Sequence, residues 1–233
     1  MDFMTNFDRF FIYRAPRAKI RRLKALYRLR SREPFMDASG FLNKFAAHKS
    51  NYLLGFITDP ATAIFLLIWE VFVMRSNLLA IAACFAAGLL GWTLLEYVFH
   101  RFVYHKGNTL AHKGHLMHHD SPKLLLGMPW FITSGVFWVL WYVLAVRLGV
   151  HLIWSLFSGL IIGYFIYCTF HHAQHHYSLT NRWFKGLTKH HNIHHSLRDV
   201  NFGVTNRFWD RVFGTIYRKE EYKPKAVARS AGQ

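Results

Sequence analysis

The sequence predicts an all-α integral membrane protein: four transmembrane helices in two hairpins, with a cytoplasmic histidine-rich helical cap holding a dinuclear metal centre. Three observations carry that expectation. Apolar residues make up 52% of the 233-residue chain and are bunched into four runs. The 29 lysines and arginines are spread unevenly about those runs, and 14 of the 16 histidines fall into four clusters between Glu96 and His195.

The runs are Pro60 to Met74, Leu78 to Phe99, Pro129 to Val146 and Val150 to Phe170. A spanning helix needs roughly 20 apolar residues. The first run is therefore short, and must thin the bilayer, snorkel Arg75 or extend to Asn77; the other three suffice. The linkers Arg75 to Asn77 and Arg147 to Gly149 permit little more than chain reversal, which argues for two hairpins and against a soluble bundle.

Charge orients the hairpins. Twelve basic residues lie in the arm up to Lys49, four between 101 and 127 and eleven after His176, but only Arg75 and Arg147 in the two turns. By the positive-inside rule, both termini and the central connection are cytoplasmic. The formal net charge of +17 is then explained by topology and by attraction to anionic headgroups, so no nucleic-acid partner is expected. Cys84 and Cys168 fall inside predicted spans and read as small packing residues.

Taken in order, residues 1–58 read as a basic cytoplasmic or interfacial arm. Ile20, Leu23, Leu26 and Tyr27 share one helical stripe, the pattern of an interfacial helix or of a solvated basic face. No cleavable signal peptide is expected, so the first span directs insertion. Asp59 and Pro60 read as an N-cap and first-turn proline, opening a membrane-embedded unit over 59–222. Glu70, near the outer end of its span, is expected to snorkel. Ala83, Ala87 and Gly91 in the second span and Gly159 and Gly163 in the fourth recur every four residues and are expected to pack together. Residues 106–128 read as a short polar connection, and YSLTNRWFKGLTKHHNIHH as a turn followed by a helix. SLRDVNFGVTNRFWDRVFGTIY is expected to pack beneath the histidines and against headgroups, and 223–233 to form a flexible tail.

The histidine clusters read EYVFHRFVYH, HKGHLMHH, HHAQHH and HHNIHH. Imidazole is a common transition-metal ligand, and one ion accepts four to six groups, so this many histidines at repeated short spacings points to two ions. His171 and His175, four apart, share a helical face. The two His-X-X-His-His pieces, His115/His118/His119 and His191/His194/His195, each present three imidazoles from about one turn. All four clusters emerge at the predicted cytoplasmic ends of the spans. Glu96, four residues before His100, is placed either to accept the second ring proton of that histidine or to pair with Arg101 or Lys106. A non-catalytic membrane metal-binding protein is the competing class, but transporters place such ligands near the midplane.

With EYVFHRFVYH, HLMHHDSP, GYFIYCTFHHAQHH, HHNIHHSLRDVNFGVTN and FWDRVFGT in this order, roughly Glu96 to Tyr217 resembles the fatty acid hydroxylase superfamily, also called the sterol desaturase superfamily, and especially fatty acid 2-hydroxylases. The resemblance implies a membrane-bound oxygenase that hydroxylates a lipid acyl chain at C2, using O2 as co-substrate, two electrons and two iron ions. Desaturation, or attack on another position of a polar lipid, a sterol or a carotenoid, occurs within the same superfamily. Matched position by position, it nominates His100, His105, His115, His118, His119, His171, His175, His191, His194 and His195 as metal ligands, leaving His112, His172, His176 and His190 spare. Glu96, Asp120 and Asp199 are then candidates to support the site from outside the ligand set. Zinc could bind the same imidazoles. The resemblance further implies a lipid or fatty acyl substrate reached through an apolar tunnel, for which Trp130, Phe131, Trp138 and Trp141 are candidates, although lipid-facing aromatics give the same pattern. The arm carries no haem-binding motif of the cytochrome b5 kind, so a separate electron donor, cytochrome b5-like or ferredoxin-like, is expected.

Overall fold

The computed structural model describes residues 46, 48–150 and 152–220. The stripe from Ile20 to Tyr27 and the 223–233 tail lie outside these described residues.

Among the described residues, four helices are long and apolar enough to cross a membrane. They are α1 (Lys49–Phe72), α2 (Leu78–Val98), α4 (Trp130–Trp141) and α5 (Ile153–His176). Two are extended by π-helical segments, α2 by Phe99–Tyr104 and α4 by Tyr142–Arg147. Between the hairpins lies α3 (Leu110–Asp120); after α5 come α6 (Arg182–Ser196) and the short α7 (Phe208–Val212). The second to fourth spans thus lie where apolar length placed them.

The first span does not start at Pro60. Helix α1 begins eleven residues earlier, capped by His48, whose ring accepts from the Ser50 amide at 3.3 Å. The reason is apolar continuity: Tyr52, Leu53, Leu54, Phe56 and Ile57 carry the run upstream, and a proline inside a packed membrane helix is tolerated despite its missing donor. At 24 residues, α1 has no length deficit. Asp59 is buried within the helix and caps nothing. Glu70 does not snorkel either; its side chain is 1% exposed and its Oε1 accepts from Ser76 Oγ in the turn that follows.

Helix α5 is the axis of the bundle. It packs along both α2 and α1, while α4 lies against α1. The contact with α2 is backbone to backbone at Gly88, where a Cβ would lie 2.2 Å from the Leu156 carbonyl oxygen, while Gly163 makes room for a side chain, a Cβ there lying 2.4 Å from Trp92 Cβ. The small face of α5 is the expected one, but its partner on α2 is Gly88 rather than Gly91, which meets only a Leu160 methyl at 3.6 Å. Trp154, Phe157 and Ile161 of α5 bury against Ala63 and Leu66 of α1.

Helix α4 faces outward: Phe131, Val136, Trp138, Val139 and Leu140 are all exposed, as befits residues that meet lipid. Trp141 instead turns inward against Trp154, with ring centroids 4.5 Å apart. The start of α4 is pinned from α1. The Asn51 amide group donates to the Gly127 and Met128 carbonyls, and its oxygen accepts from the Trp130 amide at 2.9 Å, supplying the cap that Pro129 cannot.

Candidate metal centre

All ten nominated histidines meet at one end of the bundle, in two groups of five. His100, His105, His115, His119 and His194 form one; His118, His171, His175, His191 and His195 form the other. Within each group, one ring nitrogen per residue lies within 4.8 Å of every other.

Helical geometry explains how each His-X-X-His-His piece divides. Residues four apart differ by about 40° around an α-helix, whereas neighbours differ by about 100°. On α3, His115 and His119 therefore point into the first group and His118 into the second; on α6, His191 and His195 point into the second and His194 into the first. Helices α3 and α6 straddle both groups. His100 and His105 complete the first from the π-helical end of α2 and just beyond, and His171 and His175 complete the second from α5.

The nitrogens that converge in the first group are Nε2 atoms. His115 Nε2 lies 3.1 Å from that of His100, 2.9 Å from His105 and 3.0 Å from His119, and His105 Nε2 lies 2.9 Å from His194 Nε2. His100 Nδ1 bonds the Phe202 carbonyl, and His194 Nδ1 bonds the Val200 carbonyl at 2.8 Å. A carbonyl can only accept, so both rings carry their proton on Nδ1 and present a bare lone pair at Nε2. In the second group, His191 Nε2 lies 2.9 Å from His175 and 3.1 Å from His195, while His118 Nε2 and His171 Nε2 are buried without a hydrogen-bond partner. Imidazole nitrogens converging this closely, two of them buried without any hydrogen-bond partner, are what a transition-metal ion fits.

Burial keeps these rings neutral. Desolvation, reinforced by neighbouring histidines, lowers His118 to about 3 and His105 to about 2, and holds His115, His119, His191, His194 and His195 well below the usual imidazole value. Neutral imidazole is the form that binds metal.

Of the three nominated acids, Glu96 does not pair with His100, whose Nδ1 is taken by the Phe202 carbonyl. Glu96 accepts from the Val204 amide at 2.6 Å and from the amide and hydroxyl of Thr205. It misses His100 because the helix changes to π geometry at Phe99, which breaks the four-residue register between them. Nor does it pair with Arg101, which donates to Tyr97 Oη at 2.7 Å. Asp120 lies 3.5 Å from Arg198, and Asp199 sits partly exposed in the turn after α6.

The carboxylate that sequence reasoning passed over is Asp210. It is fully buried, lies 2.9 Å from His190 Nε2, and accepts from the amides of Phe202 and Gly203, each at 2.8 Å, and from Thr215 Oγ1. Burial alone would raise its pKa; the donors from His190, Thr215 and Gly203 outweigh that and hold it below the usual carboxylate range. The signal was present in NFGVTN and WDRVFGT, whose polar residues stand in an aromatic segment. Phe202 of that segment packs edge-on against His100 and His105, closing the first group on one side.

The other histidines have partners of their own. His112 bonds the Tyr104 carbonyl at 2.7 Å, and His172 bonds Tyr52 Oη at 2.9 Å while stacking on His176.

Known proteins resemble this chain in sequence and in fold. The fatty acid hydroxylase family profile matches residues 85–215, more than half of the chain. The dihydroceramide fatty acyl 2-hydroxylase FAH2 of Arabidopsis thaliana is 35% identical over 140 residues, 56% of this chain and 59% of its own length. The ceramide very long chain fatty acid hydroxylase SCS7 of Saccharomyces cerevisiae is 32% identical over 173 residues, 67% of this chain and 44% of its own length. The chain thus spans about half the length of such curated relatives. A solved structure of full-length scs7p, with only its hydroxylase domain visible, superposes with a TM-score of 0.61 at 27% identity, covering 82% of this chain and 72% of the other. The histidine clusters and the fold that presents them have the same origin: this chain belongs to the fatty acid hydroxylase family.

Proposed function

We propose that this protein is a membrane-bound oxygenase that hydroxylates a lipid acyl chain at C2, with two iron ions held by the ten histidines. The observation that carries the reading is the division of those histidines into two groups of five, shared across α3 and α6. The relatives' names, dihydroceramide fatty acyl 2-hydroxylase and ceramide very long chain fatty acid hydroxylase, support the substrate class and the position attacked.

Iron bound there would supply oxygen activation and removal of the C2 hydrogen: C–H, O2, two electrons and two protons become C–OH and water. The chain's own residues do the rest. The buried imidazoles stay neutral and direct Nε2 lone pairs inward. Phe202 and the 200–205 loop cover the first group, and α5, packed along α1 and α2, carries His171 and His175 of the second. An acyl chain entering among the spans would bring its C2 to the histidines with its polar head at the membrane surface.

The electrons would come from a separate cytochrome b5-like or ferredoxin-like donor. The distribution of lysine and arginine supports cytoplasmic termini and a cytoplasmic metal site. In the same reading, the basic arm precedes α1, the membrane-embedded unit runs from Lys49 rather than Asp59 to residue 222, and 223–233 is a tail.

The test is lipid mass spectrometry on cells expressing the intact chain, beside His194→Ala and His195→Ala, one variant from each group. A hydroxyl at C2 of hydrolysed acyl chains, absent from both variants, is the expected result. Loss of two hydrogens would make the protein a desaturase. Unchanged acyl lipids in the presence of the metal-loaded, reduced enzyme would overturn the reading.

A further inference from the structure

The loop from Val200 to Thr205 is gripped by two buried carboxylates. Four consecutive amides are taken in pairs: Phe202 and Gly203 donate to Asp210, Val204 and Thr205 to Glu96. The carbonyls of alternate residues then face the site, Val200 toward His194, Phe202 toward His100 and Val204 toward Gln174. The loop closes on Asp210 only because residue 203 is glycine; a Cβ there would lie 2.0 Å from the Asn206 carbonyl oxygen and 3.0 Å from Asp210 Oδ2. Asn201, in a left-handed conformation with φ 57°, ties the loop to α6 through the His190 carbonyl and to the Tyr217 amide.

Both ring-holding carbonyls serve the first histidine group. Among the described residues, no histidine of the second group has a ring nitrogen bonded to a backbone carbonyl. His191 and His195 Nδ1 are buried without a partner, as His119 Nδ1 is in the first. The five histidines of the second group are carried by α3, α5 and α6. A ligand histidine whose far nitrogen is hydrogen-bonded keeps one tautomer and one orientation, and loss of such a partner costs roughly 10- to 100-fold in metal affinity.

We propose that the clamped 200–205 loop makes the two metal sites unequal: the His100/His105/His115/His119/His194 site binds its ion tightly, the other loosely, and Glu96 and Asp210 are positioning residues for the tight site. The proposal rests on the two-metal reading above. Neither carboxylate touches a metal-facing nitrogen; each acts through backbone amides, the loop and then a ring. Loading is therefore stepwise, and the second group exchanges its ion first.

The experiment uses the full chain in detergent, stripped of metal and titrated with cobalt(II), following ligand-field absorption and bound cobalt per chain. The wild type should fill two equivalents in steps at least about 10-fold apart in affinity. His195→Ala should abolish the weak step and keep the tight one, and His194→Ala the reverse. Glu96→Gln and Asp210→Asn should weaken the tight step roughly 10- to 100-fold and leave the weak step and its spectrum unchanged; a merely structural role would weaken both. Thr205→Val, which removes only one hydroxyl bond to Glu96, should shift the tight step in the same direction with the fold intact. Two equal steps in the wild type, or equal weakening of both steps in the clamp variants, would overturn the proposal. Absence of histidine-dependent cobalt binding in the wild type would instead remove the two-metal reading beneath it.

Discussion

Gly88 and Gly159 bring the backbones of α2 and α5 into direct contact: a Cβ on Gly159 would stand 2.1 Å from the Phe85 carbonyl oxygen. No side-chain adjustment relieves a clash with backbone, so the helices themselves must separate. Because α2 leads to His100 and α5 carries His171 and His175, their separation also sets how the two histidine groups meet. Gly159→Ala should destabilise the protein by about 1–3 kcal/mol, seen as a lower unfolding midpoint in detergent, and should reduce bound metal in both groups. An unchanged midpoint would show that the contact is looser than described.

Asn51 offers a second test of how the spans are tied together. Its side chain caps α4 from α1, and Asn51→Ala leaves the Trp130 amide and the Gly127 and Met128 carbonyls without it. The expected cost is about 1–3 kcal/mol. Thermal unfolding measures it, and limited proteolysis between 121 and 130 should become faster.

Protonation should unfold the metal-free protein from the histidine end. His105, His115, His118, His119, His191, His194 and His195 all have lowered pKa values in the fold, chiefly through burial. Below the ordinary value of 6.5 the unfolded chain takes up protons that the folded one refuses, so each such residue favours unfolding. Their cost is nil well above pH 6.5 and grows as pH falls toward the lowered values. The unfolding midpoint of metal-stripped protein should therefore drop steadily between about pH 6.5 and 4, and saturating zinc should offset the drop at the upper end of that range.

Topology is testable by labelling. On a Cys84→Ala/Cys168→Ala background, a membrane-impermeant maleimide should modify Met74→Cys, in the first hairpin turn, in intact cells. Asn108→Cys, in the connection that carries α3, should react only after permeabilisation. Reversal of that pattern would invert the orientation argued from lysine and arginine.

What the sequence determined by itself is what depends on neighbours along the chain. Apolar length marked the second, third and fourth spans, and the His-X-X-His-His spacing marked α3 and α6 as ligand-bearing turns. Tertiary structure decided what depends on distant partners. It carried α1 through Pro60, because packing against α5 compensates for a missing donor. It set Gly88 against Gly159, through a crossing geometry that no single-helix pattern contains. Two of the most local inferences, the Asp59 cap and the Glu96–His100 pair, failed because a buried helix and a π-helical turn overrode propensity and register. The sorting of ten histidines into two groups required four chain segments to meet, and the Glu96 bonds to Val204 and Thr205 join residues more than a hundred positions apart. Helical periodicity aims a side chain, but only the meeting of helices decides which other side chains it is aimed at.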